Sequence, residues 1–278
     1  MSHTEPFFRE AGCGPGVVCA HSNASSSAQW RDLLDLLAPD FRVLAADSYG
    51  AGRSPEWPSD RVIGLGDEVA LLEPVLARAS APLALVGHSY GGAVALVAAL
   101  ANPGRVGALA VYEPTLFSLV DADSPPPNAA DGIRDVVAAA GADLDAGNRD
   151  GAARRFIDYW MGTGAWDRTP AQRQPAIAAA TTKMRRWAHA LFSEATPLTA
   201  FRTLDVPVLY MVGRRSPVSA RDVARLLVPV LPRVEVREFE ELGHMGPITH
   251  PQVVNRAIQE FLARVLLPRH GARPAKRE

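Results

Sequence analysis

Short apolar runs alternate with amphipathic segments along most of the chain. Six runs have the length and continuity of β-strands: residues 16–21, 42–47, 82–87, 108–113, 207–213 and 233–239. Apart from polar residues at their ends, the first five are continuous apolar runs, which is typical of parallel strands covered on both faces. Apolar residues recur at helical spacing in residues 28–39, 65–79, 91–103, 219–232 and 251–267. This alternation predicts an α/β fold with a doubly wound, mostly parallel sheet.

The alternation stops between residues 116 and 203. This part is richer in polar and turn-forming residues, and it then contains three helix-like segments, residues 133–141, 150–162 and 171–192. We interpret it as a helical cap, or lid, inserted into a core formed by residues 1–115 and 204–268. The sequence DADSPPPN, residues 121–128, is expected to be its hinge or access loop. Residues 269–278 are basic, contain Pro and Gly, and are predicted to form a flexible tail.

Composition narrows the class of protein without identifying its chemistry. The 278 residues are 47% hydrophobic and carry a net charge of −1, so we expect a globular protein with no overall attraction to nucleic acid or to an anionic membrane. Cys13 and Cys19 form no C-x-x-C pair. Neither a secretory signal nor an apolar run of transmembrane length is evident, which favours a cytoplasmic location. No ligand cluster or dinucleotide fingerprint occurs, so we expect neither a metal nor an organic cofactor.

The sequence GHSYG, residues 87–91, fits the pattern G-x-S-x-G. It follows an apolar strand and precedes a helix, which is the context that this motif requires. A sharp strand-to-helix turn raises Ser89 above the carboxyl ends of the strands, where open α/β sheets bind ligands. Gly87 and Gly91 are the small neighbours that such a turn needs, and Gly92 lets the helix approach closely. A chance match in a Gly-rich turn is the alternative; the flanking elements favour Ser89 as a nucleophile.

Three further segments strengthen this interpretation: DSYGAGRS (residues 47–54), VCAHSNASSSAQW (residues 18–30) and ELGHMGP (residues 241–247). Together with GHSYGG they resemble motifs of the α/β-hydrolase fold superfamily, and the resemblance extends over nearly the whole chain. It implies a serine hydrolase similar to esterases and lactonases of that superfamily.

His244 is the candidate general base. It follows the last predicted strand and precedes the C-terminal helix, and the order Ser then His is the one that this fold uses. Gly243 and Gly246 leave room for the loop to bring the imidazole over Ser89. Of the other histidines, His88 is expected to point away from the nucleophile and His21 to order the oxyanion loop.

The resemblance also implies two oxyanion donors. In the superfamily these are the backbone N–H after the nucleophile and one from the loop after an early strand. They correspond here to Tyr90 and Asn23. The sequence departs from the family pattern at Ser22, where Gly is usual, and we include Ser22 among the residues that contribute to binding.

The triad acid is missing from its usual place. In the superfamily it follows the strand at residues 207–213, but residues 214–217 read RRSP and Ser216 occupies the turn. Asp222 lies inside the next helix and is expected to be too remote.

Glu113 offers another source of the acid. It ends the strand that follows the nucleophile's helix, and some relatives, including haloalkane dehalogenases and zearalenone-type lactonases, place the acid after that strand. Alternatively, Glu113 pairs with Arg214 or Arg215, or only ends the strand, and the site is a Ser–His dyad. We favour Glu113 as the acid, with Ser216 hydrogen-bonded to the His–Glu pair.

The predicted cap is rich in aromatic residues, some of which are expected to line an apolar pocket. The predicted substrate-binding residues are Ser22, Phe117, Trp160, Met161 and Trp166. The predicted reaction is hydrolysis of a carboxylic ester or lactone of a small, largely apolar molecule through a Ser89–His244–Glu113 triad and an acyl-enzyme.

Two alternatives stay open: a C–C bond hydrolase of the meta-cleavage type, and a catalytically silent ligand-binding homologue. Serine at the nucleophile position argues against dehalogenase and epoxide hydrolase chemistry, in which Asp is the nucleophile. We expect a small-molecule ester or lactone as the binding partner, no nucleic acid and no membrane, and leave a homodimer open.

Overall fold

The computed structural model describes residues 5–267 and is built around a seven-stranded sheet. The strands are β1 (Phe8–Ala11), β2 (Gly16–Ala20), β3 (Arg42–Ala46), β4 (Leu83–His88), β5 (Val106–Tyr112), β6 (Val208–Gly213) and β7 (Val234–Phe239). Their order is β1-β3-β2-β4-β5-β6-β7. Only the β1–β3 pair is antiparallel. The predicted doubly wound, mostly parallel sheet is therefore confirmed.

All six predicted strands are present, and β1 is the strand that the sequence pattern missed. It is a four-residue edge strand with no fully buried residue, so it carries none of the continuous apolar signal of the central strands. The predicted tail, residues 269–278, lies outside the described residues.

Helices cover both faces of the sheet. In chain order they are α1 (Arg31–Leu37), α2 (Leu65–Arg78), α3 (Tyr90–Ala101), α4 (Phe117–Asp123), α5 (Asp131–Asp145), α6 (Arg149–Met161), α7 (Ala165–Arg168), α8 (Gln174–Thr181), α9 (Met184–Phe192), α10 (Val218–Leu227), α11 (Gly246–Thr249) and α12 (Pro251–Leu266). Val17 and Val18 are adjacent in β2 but belong to different buried clusters, because successive strand side chains point to opposite faces. Burial on both faces explains the uninterrupted apolar runs.

Six helices, α4 to α9, occupy the segment between β5 and β6, and we call them the cap helices. Phe156 and Trp160 of α6 share one buried cluster with Val94 of α3, so the core of the cap helices is continuous with the hydrophobic core on that face of the sheet. The expected hinge is shorter than predicted, because residues 121–123 form the end of α4. Whether the cap helices form a separate domain with a lid's mobility stays a prediction.

The turns at the carboxyl edge of the sheet approach one another too closely for side chains. A Cβ on Gly87 would lie 2.6 Å from Gly92 Cα and overlap the Gly91 carbonyl. A Cβ on Gly91 would overlap the Ala20 carbonyl at the end of β2. The small neighbours expected around the strand-to-helix turn are therefore required sterically. Within residues 5–267, no helix is long and apolar enough to cross a membrane.

We predict that Gly87→Ala destabilises the protein by about 2 kcal/mol, because the new methyl group meets backbone atoms that cannot rotate away. Gly66→Ala is the matched control: a Cβ there has no atom within 4 Å, and the change adds up to about 1 kcal/mol of helix propensity to α2. Urea unfolding monitored by circular dichroism measures both. Equal free energies of unfolding for the two variants would contradict the steric argument.

Candidate active site

Ser89 lies at the turn between β4 and α3 with φ of 56° and ψ of −117°. Such a positive φ is uncommon for a residue with a side chain and persists where the surroundings enforce it. The Ser89 N–H donates to the carbonyl of Tyr112 at the end of β5, over 2.9 Å. The structure thus places Ser89 on the turn that the motif predicts, with its conformation held by the neighbouring strand.

Glu113 directly follows β5, also with a positive φ, 43°, and is fully buried. Its carboxylate accepts three hydrogen bonds. The Gly213 N–H and the Ser216 hydroxyl donate to Oε1 over 2.7 and 2.6 Å, and His244 Nδ1 lies 2.7 Å from Oε2. Three donors compensate for the water that a buried carboxylate has lost. Because a carboxylate only accepts, the Nδ1 atom of His244 carries the proton and Nε2 is left as an acceptor.

The arginines considered as partners of Glu113, and the alternative acid Asp222, form ion pairs with other residues. Arg214 and Arg215 pair on the surface with three carboxylates, those of Glu238, Glu240 and Glu241. Asp222 accepts a 2.6 Å hydrogen bond from Arg225 within α10. Glu113 is therefore the carboxylate that the structure brings to the imidazole of His244.

Trp160 of the cap helices covers the other side of His244. Its indole stacks on the imidazole with ring centroids 3.9 Å apart and an interplanar angle of 27°. In this structure of residues 5–267, the Ser89 hydroxyl makes no hydrogen bond to His244. A hydrogen bond between a nucleophile and its base is often loose before substrate binds. Ser89 and Trp160 line the same cavity, and Trp160 lies between that cavity and the imidazole of His244, which does not line it.

The loop that carries His244 is anchored on Tyr112. The Tyr112 hydroxyl donates to the Gly243 carbonyl over 2.8 Å. A Cβ on Gly246 would overlap the same hydroxyl, so the loop passes close to Tyr112 only because residue 246 has no side chain. A glycine is thus required at residue 246 but not at residue 243, where the nearest atom to a Cβ lies 3.5 Å away, and the placement of the imidazole over Ser89 stays a prediction.

The two expected oxyanion donors lie beside Ser89. Asn23, in the loop after β2, borders both the cavity with Ser89 and a large outer groove. Tyr90 is the first residue of α3, where backbone N–H groups have no partner within the helix. The side chain of Tyr90 points into the core, where its hydroxyl donates to Glu68 over 3.2 Å. Tyr90 therefore offers only its backbone to the site.

A hydrogen-bonded chain joins the oxyanion loop to the loop of His244. The Ser22 N–H and hydroxyl donate to Gln29 Oε1 over 3.1 and 3.0 Å, and Gln29 Nε2 lies 3.1 Å from His88 Nδ1. His88 Nε2 lies 2.8 Å from the His244 carbonyl. Because a carbonyl only accepts, the proton of His88 is on Nε2 and Gln29 donates to Nδ1. We call this chain the Ser22–His244 relay.

His21 stabilises the same loop from its other end. Its Nδ1 lies 2.7 Å from the Ser22 carbonyl, and its Nε2 accepts a hydrogen bond from the Ser48 N–H over 3.0 Å. His21 therefore orders the loop after β2, and the role of that loop in binding an oxyanion stays a prediction.

The cavity beside Ser89 has a volume of about 20 Å³, which is room for about one water molecule. Its polar lining residues are Asn23, Ser89 and Thr115. The rest of the wall is apolar and comes from α4, α5, α6 and α9. Within residues 5–267, no group of three or more His, Cys, Asp or Glu side chains could hold a metal ion.

The structure brings only some of the expected binding residues to this cavity. Phe117 and Trp160 line it, but Ser22, Met161 and Trp166 do not. The hydroxyl of Ser22 is bound to Gln29. Met161 is 40% exposed, because one step along α6 from the inward Trp160 turns its side chain outward. Trp166 is buried in α7, away from the cavity wall.

Sequence reasoning missed two residues at this site, Thr115 and Gln29, and one contact of the predicted residue Trp160. Thr115 follows Glu113 by two positions, and that proximity is a signal that could have found it. Gln29 reaches His88 from a helical turn that resembles any other in the sequence, so no local pattern marked it. The stacking of Trp160 on His244 depends on how the cap helices pack, which no spacing along the chain shows.

We predict that the free energy of unfolding depends on pH in a way that reports the buried, neutral state of His88 in the Ser22–His244 relay. Burial lowers the pKa of His88 well below its ordinary value of 6.5. The folded protein therefore binds fewer protons than the unfolded chain below pH 6.5, so stability is complete above that pH and falls as pH drops toward the folded pKa. Between pH 6.5 and the folded pKa, His88 changes the free energy of unfolding by up to about 1.4 kcal/mol per pH unit.

The measurement is the free energy of urea unfolding between pH 8 and pH 5.5 for wild type, His88→Leu and the control His189→Leu. His189 is exposed on α9. Below pH 6.5 we expect the slope of the free energy of unfolding against pH to be shallower for His88→Leu than for wild type, by the equivalent of about one proton. For His189→Leu we expect the wild-type slope. Parallel slopes for wild type and His88→Leu would contradict a buried neutral His88.

Comparison with known proteins agrees with this architecture. A family model described as the alpha/beta hydrolase fold matches residues 15–251. A non-heme chloroperoxidase of Streptomyces lividans is 30% identical over 93% of this chain and 96% of its own length. A pimeloyl-[acyl-carrier protein] methyl ester esterase of Methylococcus capsulatus is 27% identical over 92% and 98%. Among solved structures, an alpha/beta hydrolase from Sphaerobacter thermophilus has a TM-score of 0.72 and 26% identity, covering 92% of this chain and 95% of that one. The chain belongs to the alpha/beta hydrolase fold family.

Proposed function

We propose that the protein is a serine hydrolase that cleaves a carboxylic ester or lactone of a small, largely apolar molecule. One observation carries the proposal: the buried Glu113 carboxylate lies 2.7 Å from His244 Nδ1, in a site whose serine sits on a strained strand-to-helix turn. The methyl ester esterase similar to this chain supports ester cleavage, since the similarity spans nearly both full lengths.

The proposed reaction proceeds through an acyl-enzyme. Ser89 Oγ attacks the substrate carbonyl and passes its proton to His244 Nε2, which Glu113 keeps free by holding the proton on Nδ1. The backbone N–H groups of Asn23 and Tyr90 bind the oxyanion of the tetrahedral intermediate. His244 then protonates the leaving alkoxide. In the second half the same imidazole takes a proton from water, which attacks the acyl-enzyme carbonyl. The imidazolium then returns that proton to Ser89 Oγ as the bond to serine breaks and the acid leaves.

The position of the acid follows from the sheet. β5 and β6 are neighbouring parallel strands, so residues after either strand reach the same edge. Ser216, in the turn after β6, donates to the carboxylate that comes from β5. In this proposal the acid function has moved by one strand, and the residue at the usual position supports it by a hydrogen bond.

The cavity size bears on how substrate enters. A space of about 20 Å³ is too small for an ester, so productive binding requires side chains of the cap helices to move. Trp160 separates this cavity from an open groove that contains Met161, and it stacks on the proposed base. We propose that movement of Trp160 both opens the cavity and releases His244 toward Ser89.

We predict that Ser89→Ala abolishes hydrolysis of nitrophenyl butyrate and that Glu113→Gln lowers kcat by about 10⁴-fold, because an amide no longer holds the required tautomer. Asp222→Asn is the matched control, since Asp222 pairs with Arg225 on the surface, and it should stay within about twofold of wild type. Initial rates on proteins whose fold is verified by circular dichroism measure all three.

Near-wild-type activity of Glu113→Gln would overturn its assignment as the acid. A folded wild type that turns over no ester or lactone would overturn ester hydrolysis itself. Activity on vinylogous diketones would then indicate a C–C bond hydrolase, whereas binding without turnover that persists in Ser89→Ala would indicate a silent ligand-binding homologue.

We also predict that a carboxylate at the usual family position rescues the loss of Glu113. Glu113→Ala creates space beside Ser216, and adding Ser216→Asp should restore kcat by about 10-fold or more over Glu113→Ala alone. The matched double variant Glu113→Ala with Ser216→Asn should show no rescue. Equal rates for the Asp and Asn doubles would mean that the carboxylate is not what His244 requires.

A further inference from the structure

Thr115 has a buried hydroxyl without a partner. The residue is 1% exposed, and its Oγ1 atom makes no hydrogen bond to any part of the chain that the structure describes. A buried hydroxyl left unpaired is costly, and one that persists calls for an explanation such as a ligand. Within residues 5–267, five other buried polar atoms lack partners, and none of their residues lines the cavity beside Ser89: Arg9, Trp30, Ser118, Tyr210 and Asn255.

Thr115 lies directly beside the nucleophile. Its backbone N–H is 3.4 Å from the Ser89 carbonyl oxygen, and Thr115 lines the same small cavity as Ser89. The wall beyond Thr115 is formed by apolar side chains of the cap helices, including Phe117 and Trp187. Apart from Asn23 and Ser89 itself, Thr115 is therefore the polar residue that a molecule in this cavity meets, and the rest of the wall is hydrocarbon.

The sheet order separates Thr115 from the oxyanion donors. β2 and β5 flank β4 on opposite sides, so the loop of Asn23 and the loop of Thr115 lie on opposite sides of Ser89. A carbonyl oxygen held by Asn23 and Tyr90 points away from Thr115. The Thr115 hydroxyl is therefore placed to meet the acyl group attached to that carbonyl rather than the oxyanion.

We propose that Thr115 determines acyl specificity by hydrogen-bonding an oxygen atom in the acyl group of the substrate, close to the scissile carbonyl. The substrate class is thereby narrowed to esters or lactones of oxygen-bearing acyl groups, such as alkoxy, hydroxy or oxo acids, whose remaining surface is apolar. This proposal rests on the proposed function for the reacting carbonyl. A site with a buried hydroxyl disfavours the hydrocarbon analogue, because binding that analogue leaves the hydroxyl unpaired.

The experiment compares acyl groups that differ by one atom. The nitrophenyl esters of methoxyacetate and butyrate differ by oxygen in place of a methylene, as do those of 3-methoxypropionate and valerate. The enzymes are wild type, Thr115→Val, which keeps the shape without the hydroxyl, Thr115→Ser, which keeps the hydroxyl, and Ser118→Ala. Ser118 is the matched control, because its unpaired buried hydroxyl lies outside the cavity.

The readout is the ratio of kcat/KM for the oxygen-bearing ester to kcat/KM for its hydrocarbon partner. The intrinsic reactivity of each ester is the same for every variant, so it cancels when this ratio is compared between variants. For at least one pair we expect Thr115→Val to lower the ratio about 10-fold, by slowing the oxygen-bearing ester and accelerating the hydrocarbon one. Thr115→Ser should recover most of the ratio and Ser118→Ala should leave it unchanged. Ratios that agree within twofold between wild type and Thr115→Val for both pairs would overturn the proposal.

A binding measurement keeps the test independent of turnover. The methyl ketones methoxyacetone and 2-pentanone, and 4-methoxy-2-butanone and 2-hexanone, carry the same acyl groups without a leaving group. Trp160 and Trp187 line the cavity, so quenching of tryptophan fluorescence reports their binding. The preference is the Kd of the hydrocarbon ketone divided by the Kd of its ether partner. We expect this ratio to be about 10-fold larger for wild type and Thr115→Ser than for Thr115→Val.

The two measurements separate the two proposals. Loss of the ketone preference in Thr115→Val, in a protein that hydrolyses no ester, would support the Thr115 site and contradict serine hydrolysis. Ester hydrolysis with neither a ratio change nor a ketone preference would support the hydrolase and overturn the Thr115 site.

Discussion

The hydrogen bond between the buried Glu113 carboxylate and His244 is the interaction on which the arrangement of the site depends. A carboxylate without access to water needs several donors, and here they come from three different places in the chain: Gly213 at the end of β6, Ser216 in the following turn and His244 after β7. Satisfying this one group therefore draws three neighbouring loops together at the carboxyl edge of the sheet. The positive φ of Glu113 is held within this arrangement, as is typical of strained residues at functional sites.

On the side of Ser89 away from Glu113, the loops are positioned by hydrogen bonds between uncharged groups. The Ser22–His244 relay runs from the oxyanion loop through Gln29 and His88 to the carbonyl of His244, so the loop that carries the expected oxyanion donor and the loop that carries the expected base are positioned by one set of hydrogen bonds. Each member of the relay has one proton arrangement that satisfies all of its partners. A buried network of this kind specifies geometry, because a shift of one member leaves another unpaired.

The cap helices complete the site by enclosing it. Trp160 touches the base on one side and the cavity on the other, and it has the open groove beyond it. The same side chain therefore contacts the imidazole of His244 and forms part of the wall around Ser89. A hydrogen bond formed in so small and largely apolar a space is stronger than one formed in water.

The sequence by itself determined the sheet, the strand-to-helix turn and the identity of Ser89 as its central residue, because these features depend on local patterns: continuous apolar runs, glycines beside a turn and the alternation of strand and helix. It also indicated Glu113, since a residue that ends one strand lies near the edge where its neighbour ends. Tertiary structure alone decided which carboxylate reaches His244, that Gln29 and His88 join two loops, and that Trp160 faces inward while Met161 faces solvent. These outcomes depend on how distant segments pack and on which buried polar groups find partners, and neither is written in the spacing of residues along the chain.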